Sequence, residues 1–178
     1  MTDTTETLSI VVPVYDEEQN LAPLTGKLLD TLQDLGRDFE IVFINDGSAD
    51  GSADILDELA AGDARIRVVH FKRNFGQTSA MMAGLDFASG DIIIPIDADL
   101  QNDPADIPLL IETMRSANVD FVQEHFVGAL HLEIIRLDGA GHFLPWNEKR
   151  ALWDAVQRAI RASDASVFAQ LEPEIPED

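Results

Sequence analysis

The sequence predicts an α/β fold, a mostly parallel β-sheet with helices on both faces. Three observations predict it. Short β-branched runs recur at residues 8–14, 39–45, 66–71 and 92–96. Between them, apolar residues recur at helical spacing, and a polar cluster follows each run. Strand–helix alternation at this interval builds βαβ units with right-handed crossovers. Runs that are apolar nearly throughout suit strands covered on both faces.

Leu8 to Val14 is the first strand, and Tyr15-Asp16-Glu17-Glu18 follows it. Leu21, Leu24, Leu28, Leu32 and Leu35 then share one helix face, which Gly36 ends. Phe39 to Asn45 is the second strand and runs into Asp46-Gly47-Ser48. Asp50 or Ser52 caps a helix carrying Ile55, Leu56 and Leu59. Ile66 to Phe71, the third strand, ends in Lys72-Arg73-Asn74, and a helix from about Gly76 to Ala88 packs Met81, Met82 and Leu85. Ile92 to Ile96 is the fourth strand. Asp103 caps the next helix, with Pro104 at its first position and Ile107, Leu110, Ile111 and Met114 as its buried stripe. Val119 to Val122 starts a fifth strand.

A chain of 178 residues with 46% hydrophobic content is long and apolar enough for one domain with a sizeable core. With no cysteine, disulfides, zinc-thiolate sites and cysteine nucleophiles are excluded, which is compatible with a reducing compartment. The first residues, Met1-Thr-Asp-Thr-Thr-Glu-Thr, carry no secretory pattern. No apolar run reaches the length needed to cross a bilayer. A cytoplasmic protein is expected, with peripheral docking at a membrane left open. The formal net charge of −21 repels nucleic acid and anionic lipid, so no nucleic-acid partner is expected. A nucleotide ligand would need a divalent cation or helix N-termini to shield it.

In open parallel sheets, ligands bind beyond the carboxyl ends of the strands. Tyr15 to Glu17, Asp46 to Ser48, Arg73 to Asn74 and Asp97 to Gln101 are therefore expected along one rim. Asp97 and Asp99 straddle Ala98, and in extended backbone residues two apart point the same way. With Gln101 just beyond, they form a hard-oxygen cluster suited to Mg²⁺ or Mn²⁺. Such an ion would neutralise a departing diphosphate. The alternative is a pair of solvated turn residues ahead of the next helix. The rim clusters are acidic with few balancing lysines, an arrangement that favours a bound cation. No Gly-x-Gly-x-x-Gly or Walker lysine motif occurs, which argues against the usual dinucleotide and P-loop sites.

Four stretches together resemble glycosyltransferase family 2, and within it the dolichyl- or polyprenyl-phosphate sugar synthases. They are Val11-Val-Pro-Val-Tyr-Asp-Glu-Glu-Gln-Asn-Leu21, Ile44-Asn-Asp-Gly-Ser-Ala-Asp-Gly-Ser52, Arg73-Asn-Phe-Gly-Gln-Thr-Ser-Ala-Met-Met-Ala-Gly84 and Asp97-Ala-Asp-Leu-Gln-Asn-Asp-Pro104. The resemblance implies a GT-A fold and a UDP- or GDP-linked sugar donor. It implies that Pro13, Tyr15 and Glu17 lie beside the base and ribose, and that Asp46 contacts the nucleobase. It implies Asp97 and Ala98 near the ribose and diphosphate, and Asp97, Asp99 and Gln101 around the metal. The implied chemistry is displacement of a nucleoside diphosphate from the anomeric carbon with inversion. The attacker in the polyprenyl branch is a lipid phosphate, already ionised, so a strong general base is less needed; no catalytic residue is assigned.

The resemblance covers about residues 8–122. Residues 123–162 are expected to form a strand, loop and helix completing the same domain, and residues 163–178 an acidic, disordered tail. Family members continue with an arginine-bearing acceptor half, so the chain is expected to be truncated or chimeric at this end. Its strand from His131 to Leu137, the loop Asp138-Gly-Ala-Gly-His142-Phe and a helix bearing Leu152, Val156 and Ile160 resemble the end of an α/β-hydrolase. That second resemblance implies His142 as a triad base, but no Gly-x-Ser-x-Gly elbow accompanies it. Besides a transferase, the sequence therefore leaves a binding module without turnover and, ranked below both, a hydrolase acting through His142.

Overall fold

The structure, a computed structural model, describes residues 6–116, 121–126 and 130–135. The order is β1 (Leu8–Val14), α1 (Leu21–Asp34), β2 (Phe39–Asn45), α2 (Ser52–Gly62), β3 (Ile66–His70), α3 (Gln77–Phe87), β4 (Ile92–Pro95), a 3₁₀ turn (Pro104–Asp106) running into α4 (Ile107–Ser116), β5 (Phe121–Phe126) and β6 (Leu130–Ile135). The first four strands form an all-parallel sheet in the order β3-β2-β1-β4. The chain builds outward from β1 to β3, then returns to add β4 on the other side of β1. The loops after β1 and β4 thus leave neighbouring strands on either side of a topological switch point, where open α/β sheets form a crevice.

Alternation along β1 divides the core into two layers. Leu8, Ile10, Val12 and Val14 are fully buried with Leu21, Leu24, Leu28 and Leu32 of α1, and Leu56, Ile107 and Ile111 join the same cluster. Each such leucine removed from water is worth roughly 1.5–3 kcal/mol. Val42 and Ile44 point the other way and pack with Ala80 of α3. On that face α3 comes very close to β1, since a Cβ on Gly84 would stand 2.1 Å from Val11 Cγ1.

The strands and helices up to α4 follow the sequence expectation, with small shifts at their ends. Asp103 caps as expected: its Oδ1 accepts the Ala105 N–H at 3.2 Å, ahead of Pro104. At α2 the N-cap residue is Gly51 rather than Asp50 or Ser52. Asp50 still serves this end, because its Oδ1 accepts the Ser52 N–H at 2.9 Å.

The later chain departs from expectation. β5 and β6 form a separate two-stranded antiparallel sheet, with Phe121 opposite Ile135 and Phe126 opposite Leu130. The strand expected at residues 131–137 is therefore one arm of a hairpin, and not the closing strand of a parallel hydrolase sheet. The helix expected around Leu152 to Ile160, His142 and the acidic tail lie outside the described residues.

Candidate functional site

The loops after β1 and β2 are laced together by side-chain to backbone bonds. Asp16 adopts φ 55°, a left-handed conformation that aspartate tolerates. Its N–H donates to Ser48 Oγ at 3.0 Å, and its Oδ1 accepts the Ala49 N–H at 2.7 Å. The Glu17 N–H donates to Ser52 Oγ at 2.9 Å, and Glu18 Oε2 accepts the Gly51 N–H at 2.8 Å. The Ser-x-x-x-Ser spacing of Ser48 and Ser52 thus fixes how the β1 loop stands, and with it Tyr15 and Glu17.

Asp46 closes the next joint. It is 2% exposed, and its two carboxylate oxygens accept the N–H groups of Phe75 at 2.7 Å and Gly76 at 2.9 Å. This ties the end of β2 to the loop that starts α3. Gly47 makes the approach possible: its φ is +69°, and a Cβ there would lie 2.4 Å from the Arg73 carbonyl carbon. The rim acids therefore do not all converge on one cation. Asp16, Glu18, Asp46 and Asp50 spend their carboxylates on backbone N–H groups of adjacent loops, which offsets their charge locally.

Asp97 and Asp99 are different. β4 ends at Pro95, so the pair lies beyond the strand, with Ala98 and Asp99 in a turn. Ala98 between them is buried in the main core, which pins the turn. Leu100, with φ 64°, then redirects the chain. Gln101 follows as an exposed residue whose N–H donates to Asp99 Oδ1 at 3.0 Å. Asp97 Oδ1 accepts from Gln77 Nε2 at 2.9 Å. Asp97 keeps solvent access, yet its crowded surroundings strip enough water to push its carboxyl above the usual range, and the charges of Asp99 and Glu17 push it the same way. The Gln77 bond opposes this without cancelling it.

These residues meet in a cavity of about 430 Å³ at the switch point. Pro13, Tyr15 and Glu17 line it from the β1 end, Asp46 from β2, and Asp97, Ala98 and Asp99 from β4. Asn74, Gln77 and Ala80 complete the wall from the α3 side, and Gln101 is outside the lining. Sequence reasoning missed Gln77. It is the first residue of the helix that follows the third polar cluster of the rim, the one signal of its place that the sequence carries.

Among the described residues, no group of three or more histidine, aspartate or glutamate side chains is disposed to hold a metal ion. Asp97 and Asp99 offer two hard, anionic donors, and among the described residues no cation relieves the repulsion that Asp97 feels. Such a set does not fit a closed all-protein cage. It fits Mg²⁺ or Mn²⁺, which is often bound by one or two carboxylates and completed by water and phosphate oxygens.

A four-stranded parallel sheet in this order, with an acidic turn at the switch point, has the architecture of GT-A glycosyltransferases. The S. aureus TarS 1-349 structure in complex with UDP-GlcNAc superposes with a TM-score of 0.52 at 19% identity, over 64% of this chain and 32% of that one. Mannosyltransferase PcManGT from Pyrobaculum calidifontis, in complex with GDP-Man and Mn²⁺, gives 0.50 at 24% identity, over 66% and 34%. At these identities the likeness speaks for the fold.

The chain belongs to glycosyl transferase family 2, whose sequence model matches residues 9–131. The match runs beyond Val122, where the resemblance was expected to end, and through β5. The likeness to an α/β-hydrolase is not borne out. An undecaprenyl-phosphate 4-deoxy-4-formamido-L-arabinose transferase of Pectobacterium carotovorum is 44% identical over 113 residues, covering 63% of this chain and 35% of that protein. An uncharacterized glycosyltransferase of Synechocystis is 44% identical over 108 residues, covering 61% and 34%. The chain thus spans about a third of the length of these relatives. Among the described residues, no helix is long and apolar enough to cross a membrane.

Proposed function

We propose that this chain carries the donor site of a metal-dependent, inverting glycosyltransferase that binds a UDP- or GDP-linked sugar and passes the sugar to a polyprenyl phosphate. The observation that carries the reading is the Asp97–Asp99 pair, acidic and unshielded, in a polar cavity at the sheet's switch point. In this reading Pro13, Tyr15, Glu17 and Asp46 flank the nucleoside, and Asp97 and Ala98 lie by the ribose and diphosphate. Asp97 and Asp99 hold Mg²⁺ or Mn²⁺, with Gln101 as the further ligand that the family resemblance implies. The ion supplies charge stabilisation for the departing diphosphate. Asp97, oriented by Gln77, sets where that ion sits.

The acceptor class is supported by relatives that are named as undecaprenyl-phosphate transferases. A lipid phosphate arrives ionised, which agrees with a site rich in positioning bonds and without an assigned base. The reaction would take place in the cytoplasm at the membrane surface, where a lipid-borne acceptor meets a water-soluble donor. Calorimetric titration of UDP- and GDP-sugars with and without Mn²⁺ tests the donor half. Metal-dependent heat with one of them is expected, and none with any would overturn the proposal. Incorporation of labelled sugar into a polyprenyl phosphate tests the transfer.

A further inference from the structure

The chain has 12 lysines and arginines against 33 aspartates and glutamates, and most of its described arginines are already engaged. Arg37 and Arg115 pair with Glu6, Arg65 with Asp63 at 2.6 Å, and Arg67 with Glu40 at 2.7 Å. Lys72 and Arg73 form no ion pair with a described residue. They stand side by side, both exposed, in the loop that leads from β3 to the cavity wall at Asn74.

Arg73 is nonetheless held in place. Its guanidinium carbon lies 4.5 Å from the centre of the Phe75 ring. That ring in turn meets Phe71 edge-on, with centroids 5.6 Å apart at 88°. The backbone beneath is fixed by Asp46 through the Phe75 and Gly76 N–H groups. Stacking orients a guanidinium while leaving its in-plane N–H donors for an oxyanion, and those donors suit the bidentate geometry of phosphate. Phe75 remains 52% exposed, an apolar surface directly beside the cation pair.

We propose that Lys72, Arg73 and Phe75 form the receiving site for an amphiphilic phosphate, the phosphate head and first isoprene units of a prenyl phosphate. This deepens the proposed function and rests on it for the direction of transfer. Two cations that pair with no described acid match a phosphate monoester. The exposed ring beside them matches an apolar chain attached to that phosphate. Arg73 and Phe75 flank Asn74 of the cavity wall, and the diphosphate would lie across the cavity by Asp97 and Asp99. A net charge of −21 disfavours adsorption to an anionic bilayer as such, so the occupant is the prenyl phosphate itself and not a generic anionic lipid.

The test uses the full chain and citronellyl phosphate, a short soluble prenyl phosphate, followed by calorimetry or ³¹P NMR. Saturable binding is expected, with citronellol inert. Changing Lys72→Gln and Arg73→Gln together should weaken it by about tenfold or more. Phe75→Ser should bring the affinity down to that for inorganic phosphate. Lys27→Gln, the loss of one positive charge on α1, should leave binding unchanged. Neutral vesicles doped with undecaprenyl phosphate should recruit the chain, and vesicles with the same mole fraction of phosphatidylglycerol should not. Absence of binding, undiminished binding by the double variant, or equal recruitment by both vesicles would overturn the proposal. Metal-dependent nucleotide binding is measured on the same samples. Its persistence without prenyl phosphate binding removes this inference alone, whereas its absence removes the donor reading.

Discussion

Gln77 Nε2 donates to Asp97 Oδ1 at 2.9 Å, which joins the first turn of α3 to the acidic turn after β4. One oxygen of Asp97 is thereby committed, and the carboxylate can present only its other edge freely to a ligand. Gln77→Leu removes the bond from an accessible site and should leave the fold intact. A net contribution of about 0.5–1.5 kcal/mol per hydrogen bond corresponds to a loss of about 2- to 10-fold in metal-dependent nucleotide affinity. Calorimetry with Mn²⁺ and the preferred nucleotide checks this, and unchanged affinity would remove Gln77 from the site.

Gly47→Ala should be far more harmful than its size suggests. The residue has φ +69°, and the new methyl would lie 2.4 Å from the Arg73 carbonyl carbon and 2.6 Å from Asn74 N. Both are backbone atoms and cannot rotate away. Left-handed strain and overpacking together amount to about 2–4 kcal/mol. The shift would also carry Asn74 and Gln77 from the cavity wall, so ligand binding should fall with stability. Gly26→Ala is the control: nothing lies within 4 Å of its Cβ position on α1, and it should gain roughly 0.5–1 kcal/mol. Denaturant unfolding of both variants measures the contrast.

Glu40 ties the opposite end of the sheet and gives a pH signature. Burial alone pushes its carboxyl up, but hydrogen bonds from Ser9, Arg67 and Ser89 outweigh it and hold the value at about 2. Glu40 Oε1 accepts from Ser9 Oγ at 2.7 Å and from the Ser89 N–H at 2.6 Å, which joins β1, β2 and the α3–β4 loop. A folded value below the unfolded one stabilises above the unfolded value and is lost as pH falls through the folded one. Glu40→Ala should therefore lower stability at neutral pH by about 2 kcal/mol. The difference from the parent should shrink between about pH 4.5 and about pH 2. A pH-independent difference in urea midpoints would contradict this account.

Much of the first two-thirds was legible because local and global patterns agree there. The β-branched run of β1 and the leucine spacing of α1 each admit one burial pattern, and the folded core uses it. The rim was legible as a location, since strand ends in a parallel sheet share one side. Its internal bonding was not. Nothing in the spacing of Asp16, Glu18 or Asp46 says that their partners are N–H groups more than 25 residues away, so their acidity read as a demand for a cation. The turn that follows Asp97 was not legible, because Leu100 at φ 64° has no sequence signature comparable to a glycine. The β5–β6 hairpin was half seen. Both strands were expected, but period alone does not say whether neighbours run parallel or antiparallel.

The central claim is that Asp97 and Asp99 hold a divalent ion that in turn holds a diphosphate. Titration of Mn²⁺ with UDP and GDP into the parent chain and Asp99→Ala, with circular dichroism confirming equal folding, tests it most directly. The account predicts nucleotide binding that requires Mn²⁺ in the parent and falls at least about tenfold in the variant. Equal affinity in the two proteins, or binding indifferent to the metal, would contradict it.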